Sequence, residues 1–184
     1  ACLVALLCMC IGNLCALKSA ASFSLGSGYV FYGDSETKNR LDALSDAAQI
    51  VLNGSAAYAV RLAEPIWLSL GVDSTFDFRW GGGDHVYLFD YAGIAGIRVY
   101  PGLAGLMLTV DYALGRRTDF YDLAPYGDSS ASTRWGNGFK LGIQYDFLRR
   151  DAGVSPLAGI AWRRMPRGGG ADNILSVFLK LTIQ

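Results

Sequence analysis

The chain has 184 residues, of which 52% are hydrophobic and 17% are charged, and its 16 basic residues balance 16 acidic ones. This composition excludes a disordered tail and a basic nucleic-acid-binding domain, and the length predicts a single domain. The chain has one histidine, His85, which is too few for a metal site built from imidazole ligands. We therefore expect no metal, no cofactor and no nucleic-acid partner.

The first segment, residues 1–21, is apolar and ends in Lys18 followed by three small residues. This pattern predicts a secretory signal peptide cleaved after Ala21, with its charged N-terminal region missing from the sequence. The alternatives are an uncleaved membrane anchor and a lipoprotein leader with an acylated cysteine. All four cysteines lie in the first fifteen residues, so cleavage would leave the mature domain, residues 22–184, without a thiol. A disulfide framework is then excluded.

After the leader, apolar and polar residues alternate with a period of two, which predicts strands. The clearest examples are residues 66–80 and 135–147, where one face is apolar and the other carries small or charged residues. No run of 18 apolar residues follows the leader, so the mature chain is not a helical membrane protein. The eight predicted strands are 23–32, 55–63, 66–80, 86–100, 104–115, 135–147, 154–163 and 174–183.

The connections between these strands alternate in length. Short ones at 64–65, 101–102 and 148–153 alternate with long ones at 33–53, 116–133 and 164–173, and the short link 81–84 is the exception. An even number of strands with short turns on one side and long loops on the other is typical of outer-membrane barrels. The sequence therefore predicts an all-β, antiparallel up-and-down transmembrane barrel of eight strands. We expect it in the outer membrane of a Gram-negative or other diderm bacterium, with short periplasmic turns and mostly long extracellular loops.

A soluble eight-stranded barrel of the lipocalin type is the structural alternative. In such a barrel the polar face would meet water, but here that face carries many glycines, which suits a crowded interior better. Aromatic residues also gather at two heights, as expected for rings at the two membrane interfaces. They are Tyr29, Phe31, Phe76, Phe78, Tyr87, Phe89, Trp135 and Trp162 towards the loops, and Tyr100, Tyr145 and Phe147 towards the turns.

The chain resembles the small eight-stranded outer-membrane proteins, and within them the OmpW-like group, including its spirochaete members. The resemblance lies in the leader, the alternating strands and runs such as residues 138–147, GFKLGIQYDF. It implies a monomeric, porin-like channel for small hydrophobic solutes, surrounded by outer-membrane lipid and inserted by the barrel assembly machinery. The C-terminus departs from the usual pattern, because such barrels generally end in an aromatic residue and this chain ends in Gln184.

Charged residues on the polar face are predicted to line the lumen. Opposite charges in a narrow interior should pair, because an unpaired buried charge is costly. They form either a structural plug of ion pairs or the lining of a thin permeation path. The predicted lumen-lining residues are Asp73, Asp77, Asp90, Arg98, Asp111, Lys140, Asp146 and Lys180.

The first long loop contains apolar residues at helical spacing: Leu41, Leu44, Ala48 and Val51. This spacing predicts a short amphipathic helix. Its apolar stripe would form a hydrophobic vestibule, a lid over the barrel mouth, or a contact with the barrel rim.

The later loops carry candidate interaction residues: Arg116, Arg117, Tyr121, Arg163, Arg164 and Arg167. Arginines at this height can bind lipid phosphates, carboxylates or a host macromolecule as bidentate donors. They support the alternative function, a surface adhesin or host-interaction protein that uses the barrel as an anchor.

An enzyme is the third class. His85, Asp84 and Asp90 and the serines Ser129, Ser130 and Ser132 are the rim residues available for catalysis. Because no motif links the histidine to a serine, we predict that the chain is not an enzyme.

Overall fold

The computed structural model describes residues 18–44, 46–124, 127–148 and 153–184. Within these residues the chain forms nine strands and one short helix. The strands are β1 (Ser19–Phe31), β2 (Ala48–Ala63), β3 (Ile66–Gly81), β4 (Asp84–Val99), β5 (Leu106–Leu123), β6 (Gly127–Ser132), β7 (Gly136–Asp146), β8 (Val154–Pro166) and β9 (Ala171–Ile183), and the helix is α1 (Ser35–Asp42). The described residues contain no helix that is long and apolar enough to cross a membrane.

The strands form one closed antiparallel sheet. Each strand pairs with its neighbour in sequence except at β6 and β7, and β1 pairs with β9 from Ala21–Ile183 to Phe31–Asn173, which closes the barrel. The long strand β5 pairs with β7 along its first part and with β6 along its last part. Strands β6 and β7 therefore share one position in the wall, and the predicted eight-stranded barrel is confirmed.

The two ends of the barrel differ. The start of β1, the end of β9 and the short connections after β2, β4 and β7 lie together, and we call this the turn end. The connections after β1, β3, β5 and β8 lie at the opposite end, which we call the loop end. There, β3 and β4 are joined by Gly82 and Gly83, whose positive φ angles of 62° and 97° suit a two-residue hairpin.

Several strands extend further towards the loop end than predicted. Strand β2 begins at Ala48, β5 continues to Leu123 and β8 continues to Pro166, so the three predicted long loops are shorter than expected. These extensions contain charged residues that resemble loop sequence, but some of their side chains are buried in the barrel. Arg117 and Asp119 in β5, for example, are 2% and 3% exposed.

The outer face of the barrel is an apolar belt. Leu25, Leu70 and Leu179 are 77%, 68% and 70% exposed, as expected for side chains that meet lipid rather than water. Aromatic pairs lie near both ends of the belt, including Tyr29 with Phe31 and Phe76 with Phe89 near the loop end. The predicted position of Tyr100 in the turn-end girdle was wrong, because its side chain points inward and is 9% exposed.

The inner face is closely packed around its glycines. At Gly159, a Cβ atom would lie 2.8 Å from the Ile143 carbonyl oxygen and 2.9 Å from the Phe178 ring. A side chain at this position would therefore collide with the neighbouring strands. Gly105, predicted on a strand, instead lies in the turn before β5 with a φ of 79°.

The predicted leader and its boundary remain predictions. Strand β1 begins at Ser19, which pairs with Val60, so the strand starts three residues before the predicted mature N-terminus. Residues 1–17 lie outside the described residues.

Candidate functional site

Ion pairs cross the centre of the lumen. Arg163 donates from Nη1 to Asp73 Oδ2 at 2.8 Å and from Nη2 to Asp90 Oδ1 at 2.5 Å, and it is 2% exposed. Lys140 Nζ lies 2.5 Å from the other Asp73 oxygen. Because β3, β4, β7 and β8 each supply one of these groups, the pairs tie opposite walls together.

The ion pairs continue towards the loop end. Arg167, just after β8, lies 2.6 Å from Asp90 Oδ2 through Nη2 and donates from Nη1 to Asp172 Oδ2 at 2.8 Å. Arg117 donates to the same Asp172 oxygen at 2.6 Å and holds Asp119 with two bonds of 2.7 and 2.8 Å. We call the connected residues Asp73, Asp90, Arg117, Asp119, Lys140, Arg163, Arg167 and Asp172 the ionic plug.

A second charged group lies beside the ionic plug. Asp77 accepts hydrogen bonds from Tyr32 at 2.7 Å and from Gln49 at 2.9 Å, and Arg79 Nη2 lies 3.1 Å from it. The Arg117 guanidinium lies 4.7 Å from the centre of the Tyr32 ring, a cation–π distance. The loop-end half of the lumen is thus filled by polar groups that form ion pairs and hydrogen bonds with one another.

The remaining predicted lumen residues lie nearer the turn end. Arg98 donates to Ser22 Oγ at 3.2 Å, and Asp111 accepts from Ser69 at 3.3 Å. Asp146 accepts from the Ser155 hydroxyl and the Leu148 amide, which fixes the β7–β8 turn. An apolar cluster beneath them closes the turn end; its members are Ala20, Ala59, Trp67, Tyr100, Met107 and Leu157.

An apolar cluster also closes the loop end. Leu41 of α1 and Leu44, which follows the helix, are each 7% exposed and pack onto inward-facing residues of the barrel. We call this cluster the lid; its members are Val30, Tyr32, Leu41, Leu44, Val51, Val86, Leu88, Tyr121, Leu123 and Ile174. The first loop therefore covers the barrel mouth.

The predicted four-residue stripe is not one face of a helix. Helix α1 ends at Asp42, whereas Ala48 and Val51 belong to β2. Val51 is buried in the lid, but Ala48 is exposed. The helical spacing continued across a turn into a strand. Leu41 is buried because it packs onto the barrel, and Val51 is buried because it faces the lumen from the barrel wall.

The start of α1 is fixed by a capping contact. The Asp34 carboxylate accepts hydrogen bonds from the Thr37 amide at 2.9 Å and the Thr37 hydroxyl at 2.8 Å. The backbone hydrogen bond from Thr37 lowers the pKa of Asp34 below its usual value. The Thr37 hydroxyl in turn accepts from Arg117 at 2.7 Å, so the helix is attached to the ionic plug.

The predicted loop-interaction residues divide between the inside and the outside of the barrel. Arg117, Arg163 and Arg167 belong to the ionic plug, and Tyr121 donates to Asp119 at 3.0 Å. These four residues are buried, so they do not offer a surface for a partner. Arg164 is exposed on the outer face and lies 3.5 Å from Asn173, and Arg116 is partly exposed.

Strands β5 and β6 form a hairpin at the loop end, paired from Thr118–Ser132 to Leu123–Gly127. Among the described residues β6 pairs with β5 alone, and every residue of β6 is exposed. Beside its other edge lies a notch of about 200 Å³, bordered by Ser132, Thr133, Glu36 and Gly170. One edge of this hairpin is therefore open.

The backbone groups on the open edge can be assigned from the ladder. The Thr133 amide donates to the Arg117 carbonyl at 2.9 Å. Bonded pairs alternate along an antiparallel ladder, so residues 127, 129 and 131 bond to β5. The amide and carbonyl groups of Asp128, Ser130 and Ser132 then face away from β5. The sequence carried no signal for this edge, because residues 116–133 resemble a loop.

His85 lies on the outside of the same hairpin region. Its Nδ1 atom is 3.3 Å from Asp122, and a groove of about 560 Å³ contains both residues together with Ser129 and Ser130. Within the described ranges, neither serine makes a hydrogen bond to His85, and no group of three or more histidine, cysteine or acidic residues is placed to hold a metal ion. The assignment as a non-enzyme stays a prediction.

The fold is similar to solved structures of small outer-membrane barrels. The attachment invasion locus protein Ail of Yersinia pestis, in complex with the heparin analogue sucrose octasulfate, aligns with a TM-score of 0.58 and 9% identity, over 91% of this chain and 100% of that chain. Neisserial surface protein A aligns with a TM-score of 0.51 and 10% identity, over 90% and 95% of the two chains. No protein-family model and no curated protein matches the sequence. The shared fold and the apolar belt place this barrel in the outer membrane.

Proposed function

We propose that this chain is a cell-surface binding protein in which the filled barrel is an anchor and the open edge of β6 receives an extended peptide of an extracellular partner. The observation that carries the proposal is the row of backbone groups at Asp128, Ser130 and Ser132, which face away from β5. A peptide that adds a strand to such an edge gains main-chain hydrogen bonds, and side-chain pockets provide specificity.

The composition of β6 supports this use of the edge. Exposed edge strands usually carry lysine, proline or a bulge, which prevent pairing with other chains. The sequence of β6, GDSSAS, has neither lysine nor proline, and its ladder with β5 shows no shift in register. The strand lies at the loop end, beyond the apolar belt, where a partner outside the cell can reach it.

The predicted channel for small hydrophobic molecules has less support. Its path would have to cross the lid, the ionic plug and the turn-end cluster, all of which occupy the lumen.

Conductance across a planar bilayer separates the two functions. An anchored binding protein gives no steady conductance, and replacing both Leu41 and Leu44 by Asp should expose the mouth without opening the plug below it. A steady conductance of the unmodified protein would favour the channel.

Peptide selection tests the binding function. A library of displayed peptides is selected for binding to the protein in lipid nanodiscs. The affinity of the selected peptides is then measured for the unmodified protein and for Ser130→Pro and Ser132→Pro, each of which removes one outward-facing amide N–H. Ser130→Ala is the matched control because it removes the hydroxyl but keeps the amide. We expect the proline variants to lose at least tenfold in affinity and the alanine variant to bind normally. Failure to enrich any peptide, or equal binding by all variants, would contradict the proposal.

A further inference from the structure

A small cavity in the turn-end half of the lumen is bordered by more cations than anions. It has a volume of about 20 Å³ and is lined by Arg98, Lys140 and Lys180, but by one carboxylate, that of Asp111. A space of this size holds one water molecule or one monatomic ion. The question is therefore what compensates the positive charge there.

Two of the three cations lack an ionic partner. Arg98 is 6% exposed; its guanidinium donates to the Ser22 hydroxyl at 3.2 Å but forms no ion pair with any described residue. Lys180 makes neither a hydrogen bond nor an ion pair in the part of the chain that the structure describes, and its Nζ atom lies 5.6 Å from the centre of the Phe178 ring. A buried cation without a partner is costly, so Lys180 in its protonated form requires a further group at this position.

The nearby carboxylates do not remove the imbalance. Asp73 is held by Lys140 and Arg163 in the ionic plug, which neutralises Lys140. Asp111 is 6% exposed, and among the described residues it is the only carboxylate that lines the cavity. With Lys180 protonated, the cavity wall carries one excess positive charge, which a water molecule does not neutralise.

We propose that this cavity binds one small monovalent anion, such as chloride, between the Lys180 ammonium and the Arg98 guanidinium. The Gln144 amide also borders the space and supplies a neutral donor. The volume admits a halide and excludes polyatomic anions such as gluconate. The bound anion stabilises the closed lumen because it completes the charge balance beneath the ionic plug.

Bromide provides a direct test. Crystals of the detergent-folded protein grown in bromide should show an anomalous peak between Arg98 and Lys180, and the peak should be absent in Lys180→Met, which has a similar length but no charge. Density for a water molecule without anomalous signal would overturn the proposal.

Thermal unfolding provides a second test that does not require crystals. Chloride is raised at constant ionic strength by replacing gluconate. At chloride concentrations well above the dissociation constant of the site, each tenfold rise in chloride should raise the midpoint temperature of unfolding by about 3–5 °C for a chain of this size. Lys180→Met should remove this dependence, and Lys38→Met, at an exposed position of α1, should retain it. Equal midpoints in chloride and gluconate would show that Lys180 needs no anion.

Discussion

At the scale of single residues, the interior is held by arginines that each join more than one carboxylate. Arg163 joins Asp73 to Asp90, and Arg117 joins Asp119 to Asp172. Guanidinium groups suit this arrangement because several N–H donors lie in one plane, whereas an ammonium acts as a point charge. The sequence predicted two of these acidic partners in the lumen, Asp73 and Asp90, but it treated Arg117, Arg163 and Arg167 as loop-interaction residues.

Arg163→Met should therefore be severely destabilising. The substitution leaves Asp73 and Asp90 buried with one remaining cationic partner each, Lys140 and Arg167. Loss of one partner from a buried ion pair typically costs about 3–5 kcal/mol. We expect a decrease in the free energy of unfolding at the lower end of this range, measured with urea in lipid vesicles.

The neighbouring arginine is the matched control for this change. Arg164 is exposed on the outer face, so Arg164→Met should change the free energy of unfolding by less than about 1 kcal/mol. Equal effects of the two substitutions would mean that the ionic plug does not stabilise the barrel.

At the scale of elements, most strands alternate between lipid and lumen, whereas α1 depends on contacts at its two ends. Asp34 caps its first turn, and Leu41 in its last turn packs into the lid. A helix of eight residues is too short to be stable alone, so its position over the mouth depends on these contacts. The cap and the strand alternation each lead to a prediction.

The cap of α1 should be sensitive to acid. The pKa of Asp34 is lowered in the folded protein, so its carboxylate stabilises α1 fully at pH values above the unfolded pKa of about 3.9. This stabilisation is lost as the pH falls through the lowered pKa of the folded protein. A spin label on Asn39→Cys should be immobile near neutral pH and become mobile in this acidic range.

Two variants control for the cap. Asp34→Ala should be mobile at all pH values, because losing such a cap costs about 1 kcal/mol. Asp34→Asn should remain immobile in acid, because an amide caps without titrating. Acid mobility in the Asn variant would assign the transition to another group.

The facing of β7 can be tested at one pair of neighbours. Leu141 points outward and is 39% exposed, whereas Lys140 points inward to Asp73. Leu141→Arg should decrease the free energy of unfolding in vesicles by about 2–4 kcal/mol if the residue lies at the bilayer midplane.

A position near the turn end controls for depth. Val154 is the first residue of β8 and is also exposed to the outside, so Val154→Arg should cost only about 0–1 kcal/mol. Similar costs at both positions would mean that the belt is not centred on Leu141.

At the scale of the whole molecule, the barrel is closed at three levels: by the lid, by the ionic plug and by the turn-end cluster. An eight-stranded barrel leaves room for little more than side chains, so a filled lumen follows from its strand number. The exposed part of the molecule that remains for recognition is the loop end, with the β5–β6 hairpin and its open edge.

The orientation of the barrel predicts which positions antibodies can reach. An epitope tag inserted after Ser129 lies in β6 at the loop end and should be labelled on intact cells. A tag at Gly102, in the turn between β4 and β5, should be labelled only after the outer membrane is permeabilised. Labelling of the Gly102 tag on intact cells would mean that the turn end, and not the loop end, faces the outside of the cell.

The sequence by itself determined the fold class, the number of strands in the wall and the face of each strand that meets lipid. These features depend on a period-two alternation that is local, as in residues 66–80 and 135–147, and the lipid selects one face along every strand. The tertiary structure decided which charges pair, because Asp73 and Arg163 lie 90 residues apart and meet only when the barrel closes. It also decided that residues 116–132 continue as a hairpin with an open edge rather than a loop, since the Arg117 side chain is bonded to Asp172 and Thr37, which lie far from it in the sequence.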